Sequence, residues 1–220
     1  MIEAAFFDVD HTITKHATGI KYLSMVLKKE RLPFSFLFAV PKIFFRYKVG
    51  KLRAQTYNDV LEGMDGISEA LLAEVAEDCF EKKLKDDIFP QILQLIRDYK
   101  SEGIPVILAT SSPRFIIEPL YRFLEADYLI ATEIEFVDGI STGRFLGEPN
   151  FREVKQKRIE DLIAERKFSR DQCIFYSDSI HDLPSMEYIG QPVAVNPDFM
   201  LRTIAGERKW PVMDPKLKRK

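Results

Sequence analysis

Short unbroken apolar runs alternate along this chain with stretches of helical periodicity. Ala4-Ala5-Phe6-Phe7 leads into Asp8, Ile104 to Ala109 into Thr110, and Cys173 to Tyr176 into Ser177-Asp178; Tyr128 to Ala131 and Pro192 to Val195 complete the set. Runs this short, apolar at every position, predict strands buried on both faces. Between them lie helical patterns. From Pro90, the residues Ile92, Leu93, Leu95, Ile96 and Tyr99 share one face, and Gly103 suits the C-terminal cap. From about Glu153 to Arg166, Val154, Ile159, Leu162 and Ile163 point one way. Strands alternating with helices predict an α/β fold, a doubly wound, Rossmann-like parallel sheet of five strands.

Two stretches break the alternation. Ile134 to Val137, then Asp138-Gly139, then Ile140 to Phe145 predict a small β-hairpin, with the Asp-Gly pair in the turn. Residues 15–86 carry no convincing strand. Ser68 can cap a helix there whose apolar face is Leu71, Leu72, Val75, Cys79 and Phe80. The expected division is a core domain of residues 1–14 and 87–220 and a helical cap of residues 15–86 inserted after the first strand.

A chain of 220 residues with a formal charge of −2 gives no whole-chain argument for nucleic-acid binding. The charge is nevertheless uneven: Lys15 to Arg53 holds ten Lys or Arg and one acid, Glu30. Cys79 and Cys173 sit inside apolar patterns and read as reduced core thiols of a cytoplasmic protein. Met1-Ile2-Glu3 opens straight into a strand pattern, so no signal peptide is expected. The longest uncharged apolar run, Leu32 to Pro41, is about half of what crosses a bilayer, so no transmembrane helix is expected.

Polar residues gather at the carboxyl ends of the predicted strands, where ligands of open α/β sheets bind. Asp8-Val9-Asp10-His11-Thr12 places two acids there, costly unless a cation or substrate compensates them. Asp178 and Asp182 end another strand; carboxylates around one point without clustered Cys or His suit a hard cation such as Mg²⁺. Asp182, ahead of Leu183-Pro184, has an alternative reading as a helix N-cap. Thr110 offers a hydroxyl for a phosphoryl oxygen, with Ser111 and Ser112 as rivals. Lys155 stands near a helix N-terminus, where a cation opposes the macrodipole, although Lys157 and Arg158 also suggest a solvated face.

In that order, Asp8-x-Asp10-x-Thr12, Thr110, Lys155 and Asp178-x-x-x-Asp182 resemble the four motifs of the haloacid dehalogenase superfamily. Thr110 to Phe115 and Val195-Asn196-Pro197-Asp198 resemble its phosphoserine-phosphatase-like subgroup with a helical cap. The resemblance implies strand order 5-4-1-2-3 and a Mg²⁺-dependent phosphomonoester hydrolase. Asp8 would attack phosphorus and carry it as an aspartyl phosphate, and Asp10 would act as acid and then as base. Asp8, the Asp10 carbonyl and Asp178 would hold Mg²⁺, with Asp182 ordering its shell through water. Thr110, Ser111, Thr12 and Lys155 would bind the phosphoryl group. Phosphoserine hydrolysis and phosphotransfer to an alcohol are the rival reactions, and a non-catalytic phospho-ligand-binding protein the rival class.

The sequence also departs from phosphoserine phosphatases. Where the resemblance expects a Glu for the substrate ammonium, nine residues after the nucleophile, it has Ala17. No Arg for a substrate carboxylate aligns near Thr56-Tyr57-Asn58, with Arg53 the nearest. Ser-Gly-Gly is replaced by Thr110-Ser111-Ser112. Phe34, Phe36, Phe38, Phe44 and Phe45 interleave with Lys42, Arg46, Lys48, Lys51 and Arg53. Either these rings pack the cap and the bases face water, or residues 32–53 meet a lipid phosphate or membrane surface. The expected substrate is a small phosphomonoester, of lipid or glycerol type.

Overall fold

Side chains that alternate along a strand must find cover on both faces of its sheet. The computed structural model describes residues 1–26 and 61–216. In chain order the elements are β1 (Ala4–Phe7), α1 (Thr18–Val26), α2 (Glu69–Cys79), α3 (Pro90–Ser101), β2 (Val106–Pro113), α4 (Arg114–Phe123) and β3 (Tyr128–Thr132). There follow β4 (Ile134–Val137), β5 (Ile140–Phe145), α5 (Glu153–Arg166), β6 (Cys173–Ser177), α6 (Leu183–Tyr188), β7 (Gln191–Val195), α7 (Phe199–Arg208) and β8 (Val212–Met213). In β1, Ala5 and Phe7 enter one apolar layer and Ala4 and Phe6 the other. The same alternation splits Val106 and Leu108 from Ile107 and Ala109, and Ile174 and Tyr176 from Cys173 and Phe175.

The parallel sheet runs β3-β2-β1-β6-β7-β8. Its first five members keep the expected order, with β1 between β2 and β6. The sheet has six strands rather than five. The sixth, Val212–Met213, pairs with Ala194 and Val195 at the edge and is too short to stand out as an apolar run. β2 also continues past Thr110 to Pro113, so Thr110 lies within the strand, and the β2–β3 register shifts between Ala109 and Pro113.

The hairpin β4–β5 forms with Asp138 and Gly139 in its turn, both at positive φ (50° and 73°), as such a tight turn requires. Its outer strand bonds to the segment before α2: Ser141 N–H donates to the Ile67 carbonyl and Gly66 N–H to the Ser141 carbonyl. Ser68 caps α2, its side chain accepting from Leu71 N–H. The apolar faces of α1 and α2 join the layer that holds Ala5 and Phe7; Tyr22 packs edge-on against Phe115 and donates to the Leu72 carbonyl. The chain leaves the sheet region after Thr14 and returns at Ile88, where the two passages bridge. Cys79 and Cys173 are buried and free. Among the described residues no helix is long and apolar enough to cross a membrane. The expectation for residues 32–53 lies outside the described residues.

Candidate active site

Asp8 follows directly on β1, and its N–H donates to the Tyr176 carbonyl of β6 at 2.9 Å. The sheet order therefore sets Asp8 between the ends of β2, which carries Thr110, and β6, which leads to Asp178. Lys155, in the first turn of α5, is 1% exposed. Its Nζ donates to Asp8 Oδ1 at 2.8 Å and to Asp182 Oδ2 at 2.9 Å. These two carboxylates explain how an ammonium tolerates a helix N-terminus. Asp182 does occupy the N-cap position of α6, but its side chain makes no capping bond. It also accepts from Ser177 Oγ at 2.7 Å, so it fixes Lys155 instead of a helix end.

Asp10 is held by both oxygens. Thr18 N–H, at the start of α1, donates to Oδ1 at 2.7 Å, and Ser112 Oγ donates to Oδ2 at 2.9 Å. Thr18 Oγ1 lies 3.0 Å from Ser112 Oγ. Thr110 is fully buried; its Oγ1 accepts from Ser112 N–H at 3.1 Å, and its carbonyl accepts from Asn150 Nδ2 at 2.7 Å. Thr12 is buried as well, and its Oγ1 has no hydrogen-bond partner. Ser111 supplies its carbonyl to Thr132 Oγ1. Asp178 is half-buried, and its carbonyl accepts from Asp198 N–H. Asp198 in turn accepts from Ile180 N–H and Leu201 N–H, bracing the 178–182 turn while capping α7.

Burial pushes the Asp8 carboxyl up to about 7; Lys155 pulls it down, while Asp182 and Asp10 add to the rise. Burial also raises Asp178 well above the usual carboxylate range, with Asp8, Asp182 and Asp10 contributing by like charge. Burial opposes the charge on Lys155, but Asp182 and Asp8 outweigh it and hold the ammonium above its ordinary value. The site thus gathers more carboxyl groups than the buried Lys155 ammonium can hold in the ionised form.

Residues 5–187 match the haloacid dehalogenase-like hydrolase family. The chain belongs to that family. A phosphoserine phosphatase of Mycobacterium tuberculosis is 29% identical over 224 residues, covering 99% of this chain and 72% of that protein. A histidinol-phosphatase of Neisseria meningitidis is 30% identical over 220 residues, covering 97% and 99%. Among solved structures, a protein of unknown function from Bordetella pertussis matches with TM-score 0.86 at 29% identity, over 97% of this chain and 99% of that one. A substrate-bound phosphoserine phosphatase matches in fold, with TM-score 0.71 at 16% identity over 99% and 95%.

In this haloacid dehalogenase-like hydrolase, the donors around Asp8 fit a hard divalent cation. Asp8 and Asp178 are carboxylates that repel one another, and paired carboxylates suit a hard cation. No three His, Cys, Asp or Glu side chains among the described residues form a ready cluster. The fit therefore rests on the Asp8 and Asp178 carboxylates, oxygen donors of the kind a hard cation takes.

Sequence reasoning did not find the parts of Thr18 and Asn150, common polar residues outside the four motifs that only the fold brings to the site. Ser177 was read together with Asp178, but its bond to Asp182 was not. Ser112 was legible as a rival to Thr110, but its bond to Asp10 was not.

Proposed function

We propose that the chain hydrolyses phosphate monoesters through a covalent phosphoaspartate on Asp8, with residues 15–86 as a helical cap. The observation that carries this reading is Asp8 at the end of the central strand, bonded to a buried Lys155 at 2.8 Å, two residues before an acid held by both oxygens. An Asp8 oxygen attacks phosphorus and the ester P–O bond breaks, while Asp10 gives its proton to the departing alkoxide. Water then attacks the phosphoaspartate, its proton passes to Asp10, and Asp8 is released as carboxylate. Lys155, with Thr110, Ser111 and Thr12, receives the phosphoryl oxygens. Asp8, the Asp10 carbonyl and Asp178 would hold Mg²⁺, which when bound offsets the repulsion between the nucleophile and an anionic phosphate.

On the alcohol part of the substrate, Ala17 and the aromatic, basic residues 32–53 support a glycerol-type or lipid phosphate. A second reading, histidinol phosphate, is favoured by the likeness to a histidinol-phosphatase that spans both chains almost end to end. The test is release of phosphate from p-nitrophenyl phosphate with and without EDTA. A panel of glycerol phosphate, lysophosphatidate, L-histidinol phosphate and phosphoserine follows, each repeated with Asp8→Asn. Mg²⁺-dependent turnover that vanishes in Asp8→Asn is expected. Equal turnover by the variant would overturn the mechanism.

A further inference from the structure

The two oxygens of Asp10 are held by different kinds of donor. Oδ1 accepts from the backbone N–H of Thr18 at 2.7 Å, a group that can only donate. That N–H cannot turn to accept a proton from Oδ1, so the partner of Oδ1 suits the charged form alone. Oδ2 accepts from the Ser112 hydroxyl at 2.9 Å, and Thr18 Oγ1 lies 3.0 Å behind it. Hydroxyls both give and receive hydrogen bonds, so this short chain can run in either direction. Thr18 is fully buried and Ser112 nearly so, which shields both hydroxyls from competing water.

We infer that Ser112 is a positioning residue that assigns Asp10's proton transfers to Oδ2 and keeps that oxygen in place in both of its protonation states. The inference rests on the reading of Asp8 as nucleophile and Asp10 as acid and base. In the first half-reaction the proton leaves Oδ2 for the alkoxide oxygen as the ester P–O bond breaks. The Oδ2 anion is then stabilised by the Ser112 O–H, itself supported by Thr18. In the second, water loses a proton to Oδ2 as its oxygen bonds to phosphorus and the Asp8–phosphorus bond breaks. Ser112 can then turn its O–H away, toward Thr18, leaving its lone pairs to the newly protonated carboxyl. A Gly at position 112 would leave Oδ2 without this partner. The hydroxyl is thus a feature of this chain's own Thr110-Ser111-Ser112 sequence.

The experiment compares wild type with Ser112→Ala, Ser112→Thr and Thr18→Val on p-nitrophenyl phosphate and on an alkyl monoester such as glycerol phosphate. The nitrophenolate leaves without protonation and the alkoxide does not. Ser112→Ala is expected to lower kcat/KM for the alkyl ester about tenfold, with little change for p-nitrophenyl phosphate, matching the loss of one hydrogen bond to a charged group. Because water activation also slows, rapid mixing of Ser112→Ala with p-nitrophenyl phosphate should show a burst of nitrophenolate that wild type lacks. Ser112→Thr keeps the hydroxyl and should restore the wild-type pattern, while Thr18→Val should share the alanine defect in weaker form. Equal losses on both esters without a burst, with thermal unfolding unchanged, would overturn the inference while leaving the Asp8 reading intact. Wild type that turns over neither ester would instead sink the reading beneath it.

Discussion

A single ammonium, Lys155 Nζ, stands 2.8 Å from Asp8 Oδ1 and 2.8 Å from Asp182 Oδ1, at a position 1% exposed to solvent. It fixes one oxygen of Asp8, and Asp182, anchored by Ser177, fixes the ammonium. Lys155→Met keeps the apolar stem but leaves two buried carboxylates facing each other. The expected cost is about 3 kcal/mol of stability, read from urea unfolding, and a fall in kcat of about 10²–10³. A variant that unfolds at the same urea concentration as wild type would refute the pairing as described.

Asp178 has the opposite situation. Burial and the like charges of Asp8, Asp182 and Asp10 disfavour its ionised form, and Lys155 acts the other way. Asp178→Asn removes that repulsion, so the metal-free protein should gain about 1 kcal/mol, or roughly 2–4 °C in Tm. Wild type should be stabilised by millimolar Mg²⁺ and lose that gain on adding EDTA; the variant should respond to neither. Differential scanning fluorimetry separates the outcomes, and a variant that still shifts with Mg²⁺ would exclude Asp178 as a ligand.

The core was legible because buried parallel strands are apolar at every position, so β1, β6 and β7 stand out from their surroundings. Val212–Met213 was not legible: two residues at a sheet edge bury too little to leave a pattern. The end of β2 was misplaced for a related reason, since Thr110-Ser111-Ser112 is a polar run after an apolar one and so reads as the end of the strand. The charged site residues were legible through their cost, because acids at strand ends and a lysine at a helix start each demand a partner. The neutral ones, Thr18, Ser112 and Asn150, carry no such cost in the sequence, and their partners lie 8, 102 and 40 residues away.

Where the chain passes out to residue 15 and back at residue 87, one buried acid ties the two passages. Asp87, 4% exposed, accepts from His16 N–H at 2.9 Å and from the His16 ring, with Lys21 Nζ 3.5 Å away. Asp87→Ala removes the side-chain acceptor of that N–H and the tie to the His16 ring, leaving backbone bonds between the passages. The expected loss is about 2 kcal/mol by chemical denaturation, with limited proteolysis faster near residues 15–17 and 85–88. Unchanged stability and cleavage would show that the backbone bridge between Thr14 and Ile88 suffices alone.

Ala17 is the position at which substrate choice is most open to test. It immediately precedes Thr18, whose N–H grips Asp10, so a longer side chain at position 17 starts beside the residue that holds Asp10. By the family resemblance a Glu there pairs with a substrate ammonium. With Ala17, an ammonium brought to the same place has no carboxylate to replace its water, a loss of about 1–3 kcal/mol for an unmet charged partner. Wild type should therefore favour glycerol phosphate over phosphoserine in kcat/KM. Ala17→Glu should shift that ratio toward phosphoserine by about tenfold. The ratio is the proper readout, because an added carboxylate beside Asp10 can slow both esters alike. L-Histidinol phosphate completes the comparison. It carries an ammonium but no carboxylate, so a wild-type preference for it over both other esters would mean that some acid other than one at position 17 meets the charge. That outcome would replace the glycerol-type reading with the amino-alcohol one. A ratio unmoved by Ala17→Glu, in a variant that folds and turns over p-nitrophenyl phosphate, would show that position 17 does not face the substrate.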